Sequence, residues 1–300
     1  MYFGCVPNEV FLNRLALFSE RFQADFGLIF LTMIWGTSFS LVKTALQDIS
    51  PLLFLSIRFW IGGLILVLFL GFQKGLKITK KTWIHGTILG VFMFFGMGLQ
   101  TVGLKYTTAS KSGFITGLAV FFVPMVVVFI EKTIPRKMTL LGVVLATIGV
   151  YAFTSPRGGG FNYGDLLTLG CAFSFAFEIV YVEVFGKQND TMSLAAIMVI
   201  MTAVFASLGA VFLETPVIAF TGRMLLPLFI TATLATALGF YLQLHWQPST
   251  SATAAAVIYT MEPVFAAFFA MLFMGDRLTG TGWFGAGLII CGMLLAEVKR

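Results

Sequence analysis

Long apolar segments separated by short polar stretches make up most of the chain. Each segment is close to the ~20 residues that an α-helix needs to cross the hydrocarbon core of a bilayer. The stretches between them leave little room for a soluble domain. The pattern predicts an all-α, polytopic membrane protein with ten transmembrane helices. We place these helices at residues 26–46, 51–72, 83–104, 110–130, 138–154, 163–186, 192–214, 224–244, 251–274 and 281–297.

Residues 1–24 differ from these segments because charged residues interrupt their apolar positions. Phe11, Leu15, Phe18 and Phe22 recur at helical spacing, which is typical of a helix lying on the membrane surface. A frayed tail fits the same residues equally well. The interruptions argue against a cleaved signal peptide. We therefore expect an N-terminal cytoplasmic or interfacial segment.

Composition strengthens the membrane prediction. Apolar residues make up 58% of the 300 residues and charged residues only 11%, against about 25% charged in a soluble domain. The chain lacks the polar surface that a soluble fold of this length needs. The formal net charge is +6, but Lys and Arg flank the apolar segments instead of forming one basic face. This placement favours contact with membrane lipid over nucleic acid.

The distribution of Lys and Arg predicts the orientation in the membrane. When successive connections are assigned to alternate sides, twelve basic residues fall on one side and five on the other. Lys43 and Arg58 fall within predicted spans. Basic residues concentrate on the cytoplasmic side of membrane proteins. With an even number of spans, both termini are expected in the cytoplasm of a multi-pass protein of the cell (inner) membrane.

The two halves of the chain, residues 26–154 and 163–297, resemble each other. Their fourth and fifth segments align, with Pro124 opposite Pro263. Because each half has five spans, the second half must cross the bilayer upside down. Inverted repeats are typical of secondary transporters, in which two equivalent halves expose a midplane site to either side in turn. The paired prolines interrupt helical hydrogen bonding and are predicted hinges. Other aligned pairs are Ser112 with Ser251, Gly142 with Gly285, and Gly149 with Gly292.

Three stretches resemble a known family: LTMIWGTSFSLVK in the first span, PLLFLSIRFWIGG in the second, and YTMEPVFAAFFAMLFMGDRLTGTGWFGAGLIICGMLL near the C-terminus. They are similar to EamA-type transporters of the drug/metabolite transporter superfamily, and the likeness covers residues 26–297. The resemblance implies ten helices in two inverted five-helix halves around a central cavity. It also implies movement of small metabolites, often amino acids or similar amphipathic solutes and frequently outward. Val123 stands in the first half where the second half has Glu262, which argues against a mechanism that needs an acid in both halves.

Ionisable side chains within the spans are the first candidates for the transport pathway. A charge at the bilayer centre costs about 2.5 to 3.5 kcal/mol on insertion scales and usually faces a cavity or a partner. Glu262 is expected to bind a substrate amine or a coupling proton, or else to bond to nearby backbone. Glu178 shares a helix face with Ser174 and Tyr181, a polar stripe for the pathway or for contacts between helices. Arg58 is expected to neutralise Glu178 or Glu262, the alternative being a bidentate contact with a substrate carboxylate.

Neutral residues complete the predicted site. Trp35 and Ser38 share a face of the first segment, and Trp35 lies too deep for an interfacial role. Trp35 is expected to form an aromatic wall for a substrate or else to pack in the core. Gln100, Gln243 and Tyr259 are predicted to face the cavity or to make ordinary contacts between helices.

The sequence carries no motif for catalysis, metal binding or nucleotide binding. It lacks a GxxxxGKS/T phosphate loop, and its two histidines, His85 and His245, lie apart near span ends. We expect no enzyme activity, no metal and no cofactor. The predicted function is secondary transport of a small organic metabolite, such as an amino acid, across the inner membrane by alternating access, with efflux favoured. A passive channel or uniporter and a flippase for lipid-linked substrates are the alternatives.

Overall fold

The computed structural model describes residues 8–72, 78–154, 161–265, 268 and 279–297. Within these ranges the backbone is helical apart from short connections and one isolated antiparallel bridge, between Ile49 and Ile218. A π-helix and a short 3₁₀ turn accompany the α-helices. The α-helices are α1 (Asn8–Gly36), α2 (Ser38–Ala45), α3 (Pro51–Phe72), α4 (Lys80–Tyr106), α5 (Ala109–Gly117), α6 (Ala119–Glu131), α7 (Lys137–Thr154), α8 (Tyr163–Gly186), α9 (Thr191–Phe212), α10 (Gly222–Ile230), α11 (Gly239–Trp246), α12 (Ala252–Tyr259) and α13 (Gly280–Glu297).

The apolar segments predicted from the sequence are helical over most of the residues that the structure describes. Among the described residues, seven helices are long and apolar enough to cross a membrane, and shorter apolar helices occupy residues 137–152, 252–265 and 280–296. Of the N-terminal segment predicted over residues 1–24, residues 8–24 are helical and continuous with the first span, since α1 runs without a break to Gly36. The structure confirms an all-helical, polytopic membrane fold.

Some spans change their helical geometry partway. α1 and α2 are separated at Thr37, and α5 and α6 are separated at Leu118. Between α10 and α11, Thr231–Leu238 forms a π-helix, whose backbone bonds reach one residue further than those of an α-helix. Such local changes free or shift backbone carbonyls within a span.

Pro124 and Pro263 follow equivalent irregular turns. The amides three residues before each proline, those of Phe121 and Thr260, donate to carbonyls three residues back at 2.9 and 3.1 Å. An α-helix would instead bond four residues back. Proline has no amide hydrogen and its ring clashes with the carbonyl four residues earlier, which accounts for the irregular turn. The fourth span of each half is therefore irregular within about two turns before its proline.

The fifth helices of the two halves, α7 and α13, pack closely against each other. A Cβ atom built on Gly142 would lie 2.6 Å from the Gly292 carbonyl oxygen, and one built on Gly149 would lie 2.9 Å from the Gly285 carbonyl oxygen. Only glycine permits backbones to approach this closely. Because the partner of the earlier glycine on α7 is the later one on α13, the helices run antiparallel. The alignment of the two halves exchanges the Gly142–Gly292 contact with the Gly149–Gly285 contact, which is the arrangement that a two-fold axis between inverted halves requires.

The largest buried core lies among α3, α4, α8, α9 and α11. Two glycines of α4 let this helix pack closely against α9. A Cβ atom built on Gly86 would lie 2.5 Å from Ile197, and one built on Gly90 would lie 2.7 Å from Met201. Small residues at four-residue spacing permit such close contact between membrane helices. This core supports one side of the cavity that holds the candidate site.

Candidate functional site

A cavity lined by both halves of the chain brings together most of the predicted site residues. Its empty volume, including the open space at its mouth, is about 770 Å³. Eight of the nine predicted pathway residues and one of the two predicted hinges line it. They are Trp35, Ser38, Arg58, Gln100, Glu178, Gln243, Tyr259, Glu262 and Pro263.

Trp35 forms an aromatic wall of this cavity. The centre of its ring lies 5.7 Å from that of Phe240 and 5.5 Å from that of Tyr259. Its Nε1–H donates to the Ala235 carbonyl, in the π-helix, at 3.0 Å. Gly239 leaves room for the indole, since an added Cβ atom would lie 2.8 Å from Trp35 Nε1. The indole is fixed by packing and by one hydrogen bond, and it offers a rigid apolar surface to a bound molecule.

Arg58 brings a buried cation to the cavity, with only 2% of the residue exposed. Its Nε–H donates to Thr236 Oγ1 at 2.7 Å, and its guanidinium carbon lies 5.7 Å from the centre of the Phe59 ring. Among the described residues, no carboxylate oxygen lies within 4.0 Å of the guanidinium nitrogens. The expected ion pair with Glu178 or Glu262 is therefore not formed, because the π-helix holds Arg58 instead.

Glu178 belongs to a buried chain of polar side chains that joins α8, α11 and α12. Gln243 Nε2 donates to Glu178 Oε2 at 3.2 Å and to Gln247 Oε1 at 3.1 Å. The Tyr259 hydroxyl donates to Gln247 Oε1 at 2.8 Å, and Gln247 Nε2 donates to the Ile179 carbonyl at 2.6 Å. We call these four side chains, of Glu178, Gln243, Gln247 and Tyr259, the inner polar network. The partners of the carboxylate in this network are neutral.

The carboxylate of Glu178 is only half satisfied. Its Oε1 is buried and has no hydrogen-bond partner in the described structure, and the same holds for Gln243 Oε1. A buried acceptor without a donor is unfavourable. A proton on the carboxylate would remove the charge and turn one oxygen into a donor. An ammonium group of a bound molecule would supply donors as well.

Gln247 is a site residue that the apolar pattern of the sequence does not predict. The predicted eighth span ends at residue 244, which leaves Gln247 in the connection to the ninth span. In the structure it is completely buried in the 3₁₀ turn Gln247–Ser249, where it bonds to three polar groups. The available signal is that this connection contains no Lys, Arg, Asp or Glu, unlike the other predicted cytoplasmic connections.

Glu262 is partly buried and lines the cavity just after the irregular turn at Thr260. No hydrogen bond holds its carboxylate within the part of the chain that the structure describes. The carboxylate is therefore available to a bound molecule. Val123, the equivalent residue of the first half, is fully buried in an apolar cluster. The carboxylates among the cavity-lining residues, those of Glu178 and Glu262, both belong to the second half.

Small and polar residues of the first half complete the lining. Gln100 Nε2 donates to Thr116 Oγ1 at 3.0 Å. Ser38 is the first residue of α2, directly after the break in the first span. Gly113 also lines the cavity, and a Cβ atom built on it would meet no atom within 4 Å. The space beside Gly113 is thus open to a solute.

Tyr181 and Pro124 lie outside the cavity lining. The ring of Tyr181 stacks on Phe185 and tilts against Phe92, with centres 5.0 and 5.5 Å apart. Pro124 is buried within α6. The polar stripe predicted on α8 is therefore divided, since Glu178 lines the cavity while Tyr181 packs between aromatic rings.

Beyond the inner polar network, Glu183 fastens the end of α8 to the start of α12. Its Oε2 accepts a hydrogen bond from the Ala252 amide at 2.5 Å, and its Oε1 pairs with Lys187 Nζ at 2.8 Å. Together with Glu131, these residues line a second, more polar cavity with an empty volume of about 1010 Å³. The contact therefore ties two helices together at the edge of this second cavity.

Comparison with known proteins finds that the chain matches the profile of one protein family. The sequence profile of the EamA-like transporter family matches the chain twice, over residues 23–155 and 162–297. The two matches are separated only by the connection between α7 and α8. Each contains five of the apolar segments, and together they cover nearly the whole chain.

Several relatives are transporters by name. An uncharacterized transporter of Archaeoglobus fulgidus is 35% identical over 283 residues, which cover 93% of this chain and 87% of the relative. The threonine/homoserine exporter RhtA of Salmonella typhimurium is 28% identical over 168 residues, 54% of each chain. A Salmonella typhimurium protein named "probable amino-acid metabolite efflux pump" is 25% identical over 282 residues, which cover 90% of this chain and 93% of that protein.

A solved crystal structure shares the fold. It superposes with a TM-score of 0.76 at 19% sequence identity, and the match covers 93% of this chain and 99% of the other. At this sequence identity, the likeness shows that the two proteins share an arrangement of helices and shows nothing about a shared function.

Proposed function

Because the chain belongs to the EamA-like transporter family, we propose that it exports small metabolites of amino-acid character by alternating access. The cavity carries the proposal, since it is lined by a buried cation, Arg58, and by two acids, Glu178 and Glu262, beside an aromatic wall. A zwitterion presents one carboxylate and one ammonium group, which side chains of opposite charge can bind together. The names of two relatives, a threonine/homoserine exporter and an amino-acid metabolite efflux pump, support outward transport of this class.

The two halves supply the mechanism. Residues 26–154 and 163–297 both line the cavity, and they meet along the antiparallel contact of α7 and α13. Rocking of one half against the other would open the cavity to each side in turn. The irregular turns before Pro124 and Pro263 are the places where the fourth and ninth spans can bend, so we assign these prolines as hinges.

The orientation follows from the basic residues. Their asymmetric distribution supports an orientation with both termini in the cytoplasm, and we propose the inner membrane as the location. In this orientation the joined ends of α8 and α12 face the cytoplasm. The Glu183–Ala252 contact and the inner polar network then lie on the cytoplasmic path to the cavity. Loading from the cytoplasm requires that these contacts open.

We further propose that the solute is exchanged for a proton held by Glu178. The Oε1 atom of this residue has no donor in the described structure, and a proton is the smallest ligand that satisfies it. The ammonium group of a solute can take the place of that proton at the same carboxylate. Two ligands that compete for one group travel in opposite directions through an alternating-access protein.

Proteoliposomes containing the purified protein test the proposal. A pooled set of labelled amino acids and metabolites is followed with and without an imposed proton gradient. We expect saturable flux of a zwitterion that accelerates when protons flow in the opposite direction. Glu178→Gln cannot exchange a proton, so its flux is expected to lose the response to pH. Glu131→Gln, which lies at the second cavity, is the matched control and keeps the response.

Other outcomes separate the parts of the proposal. Flux that rises linearly with concentration, in vesicles shown to hold folded protein, would indicate a channel. Flux of no zwitterion at all would overturn the solute class and favour a lipid-linked substrate. If Glu178→Gln and Glu262→Gln both remain as dependent on pH as the parent, proton exchange is wrong and export stands.

A further inference from the structure

We propose that Arg58 binds the carboxylate of the transported solute and that Thr236, in the π-helix, is the residue that positions it. The inference rests on the proposed function, because it names the chemical group that one end of the same cavity takes. It assigns the class of ligand as monocarboxylates, and it distinguishes them from amides and simple amines of the same shape.

The first support is the unused bonding capacity of Arg58. A guanidinium has five N–H donors and stays protonated in proteins. Only its Nε–H has a hydrogen-bond partner within the described residues, namely Thr236. The terminal amino groups, which carry most of the donors, have none. A buried cation is retained when something satisfies it, and a carboxylate matches two parallel guanidinium donors.

The second support is that Lys43, a partly buried cation near this end of the bundle, is already occupied. Lys43 donates from Nζ to the Thr107 carbonyl at 2.7 Å and also to the Leu104 carbonyl. It does not line the cavity. Among the described residues that line the cavity, Arg58 is therefore the cation that a solute anion meets. A single cation suits a monoanion, whereas a phosphate or a nucleotide sugar needs several clustered cations.

The third support is the way in which the π-helix fixes Arg58. Thr236 Oγ1 accepts a hydrogen bond from Arg58 Nε at 2.7 Å. This bond engages one edge of the guanidinium, and one terminal amino group lies on the opposite side. Gly62, one turn after Arg58 on α3, leaves space for Thr236, since an added Cβ atom would lie 2.7 Å from Thr236 Cγ2. The neighbouring Ala235 carbonyl accepts from Trp35. Two adjacent residues of one π-helix therefore position the cation and the aromatic wall together.

The opposite charge lies elsewhere in the same cavity. Glu178 and Glu262 are not paired with Arg58, so the cavity keeps its positive and negative groups apart. Had they formed an ion pair, a solute would have to break it. As they stand, a bound zwitterion supplies Arg58 with its carboxylate and the acids with its ammonium group. Loss of either group from the solute leaves one buried charge unsatisfied.

The test uses the purified full-length protein and a panel of L-amino acids, threonine among them, each measured beside its own carboxamide. Affinity is read from thermal stabilisation and from calorimetry. The parent is expected to bind at least one acid about tenfold or more tightly than the matching amide, the range expected of a charged hydrogen-bonded pair. Arg58→Gln should remove this preference and bring the affinity for the acid close to that for the amide.

Thr236 provides the sharper comparison. Thr236→Val keeps the shape but removes the acceptor, and it should weaken binding of the acid about three- to tenfold while leaving the amide unchanged. Thr236→Ser keeps the hydroxyl and should behave like the parent. A merely structural role for Thr236 would change the affinity for acid and amide alike. If Arg58→Gln fails to fold, Arg58→Lys takes its place in the test. Lysine keeps the positive charge but lacks the two parallel N–H donors of the guanidinium, so it should reduce the preference for the acid over the amide without abolishing it.

Two results would overturn the inference. One is that no acid in the panel binds more tightly than its amide in the parent. The other is that Arg58→Gln retains the full preference. If acid and amide are both transported saturably and with equal affinity, export is supported and the carboxylate site at Arg58 is wrong. If the purified protein prefers the acid but transports no solute saturably, the carboxylate site is supported and export is wrong.

Discussion

Gly142 and Gly292 face each other so closely that a Cβ atom built on either would lie 2.6 or 2.7 Å from the carbonyl oxygen of the other. The relationship is reciprocal, with each backbone filling the space that the other's side chain would need. Contacts of this kind depend on shape, because membrane lipid gives helices no hydrophobic reason to associate. The contact between the halves can therefore hold them together without a specific polar bond.

A valine at Gly142 is expected to destabilise the protein. Its Cβ atom would meet the Gly292 carbonyl and the Ala296 amide, which are backbone atoms that cannot turn aside. Overpacking of this kind costs about 1 to 3 kcal/mol. Thermal unfolding of the purified protein measures the effect. Gly287→Val on α13 is the control, because a Cβ atom there meets nothing within 4 Å. Equal shifts in the two variants would contradict a close contact between α7 and α13.

Substitution of Gly113 should reduce transport without reducing stability. A side chain at this position enters the open part of the cavity instead of a packed contact. Replacing a helical glycine by alanine stabilises a helix by about 1 kcal/mol. Along the series Gly113→Ala and Gly113→Leu, we expect the KM of the solute to rise with side-chain volume while the unfolding temperature stays level or increases. Gly280→Leu, at the start of α13, provides the comparison outside the cavity, and a parallel rise in KM there would count against the cavity as the pathway.

Removal of Gln247 should weaken the inner polar network. In Gln247→Met, the Tyr259 hydroxyl and the Ile179 carbonyl each lose a partner in a buried setting. Such losses lower the free energy of unfolding by about 1 to 3 kcal/mol each at most, and by less where water can enter. Gln188→Met is the matched control, since Gln188 is exposed and its amide bonds only to the Val184 carbonyl one turn back. Unfolding temperatures that agree between the two variants would show that the network is not holding α8, α11 and α12 together.

The hinge assignment predicts a change in rate instead of a loss of protein. Pro124→Ala and Pro263→Ala each restore an amide that can complete α-helical bonding, which should stiffen the turn that precedes it. Both variants are expected to insert and fold, while the maximal transport rate changes and solute affinity stays near that of the parent. Exchange rates in proteoliposomes provide the measurement. Unaltered rates in both variants would remove the prolines from the mechanism.

The sequence alone predicts the helices well because the bilayer imposes a simple requirement. A run of about 20 apolar residues has few alternatives to a membrane helix, and α3 and α8 begin and end at the predicted residues. The aligned prolines likewise identify the irregular turns before Pro124 and Pro263. These features depend on local chemistry, which a single sequence contains.

Contacts between distant residues are harder to predict. The expected partner of Arg58 was an acid, since opposite charges attract, whereas the structure gives it Thr236. The expected and observed partners differ because a π-helix shifts the helical register of one span. The spacing of apolar residues in the sequence does not reveal this shift. Gln247 escapes prediction for a similar reason, because the position of a residue in a connection does not reveal that the connection folds inward.

The half-satisfied carboxylate of Glu178 has an electrical consequence under the proposed exchange. An elementary charge that moves through the full potential changes in energy by about 2.3 kcal/mol per 100 mV. A zwitterion carries no net charge, so each cycle that exports one solute and admits one proton moves one positive charge toward the negative interior of the cell. The membrane voltage would then add to the proton gradient in driving export.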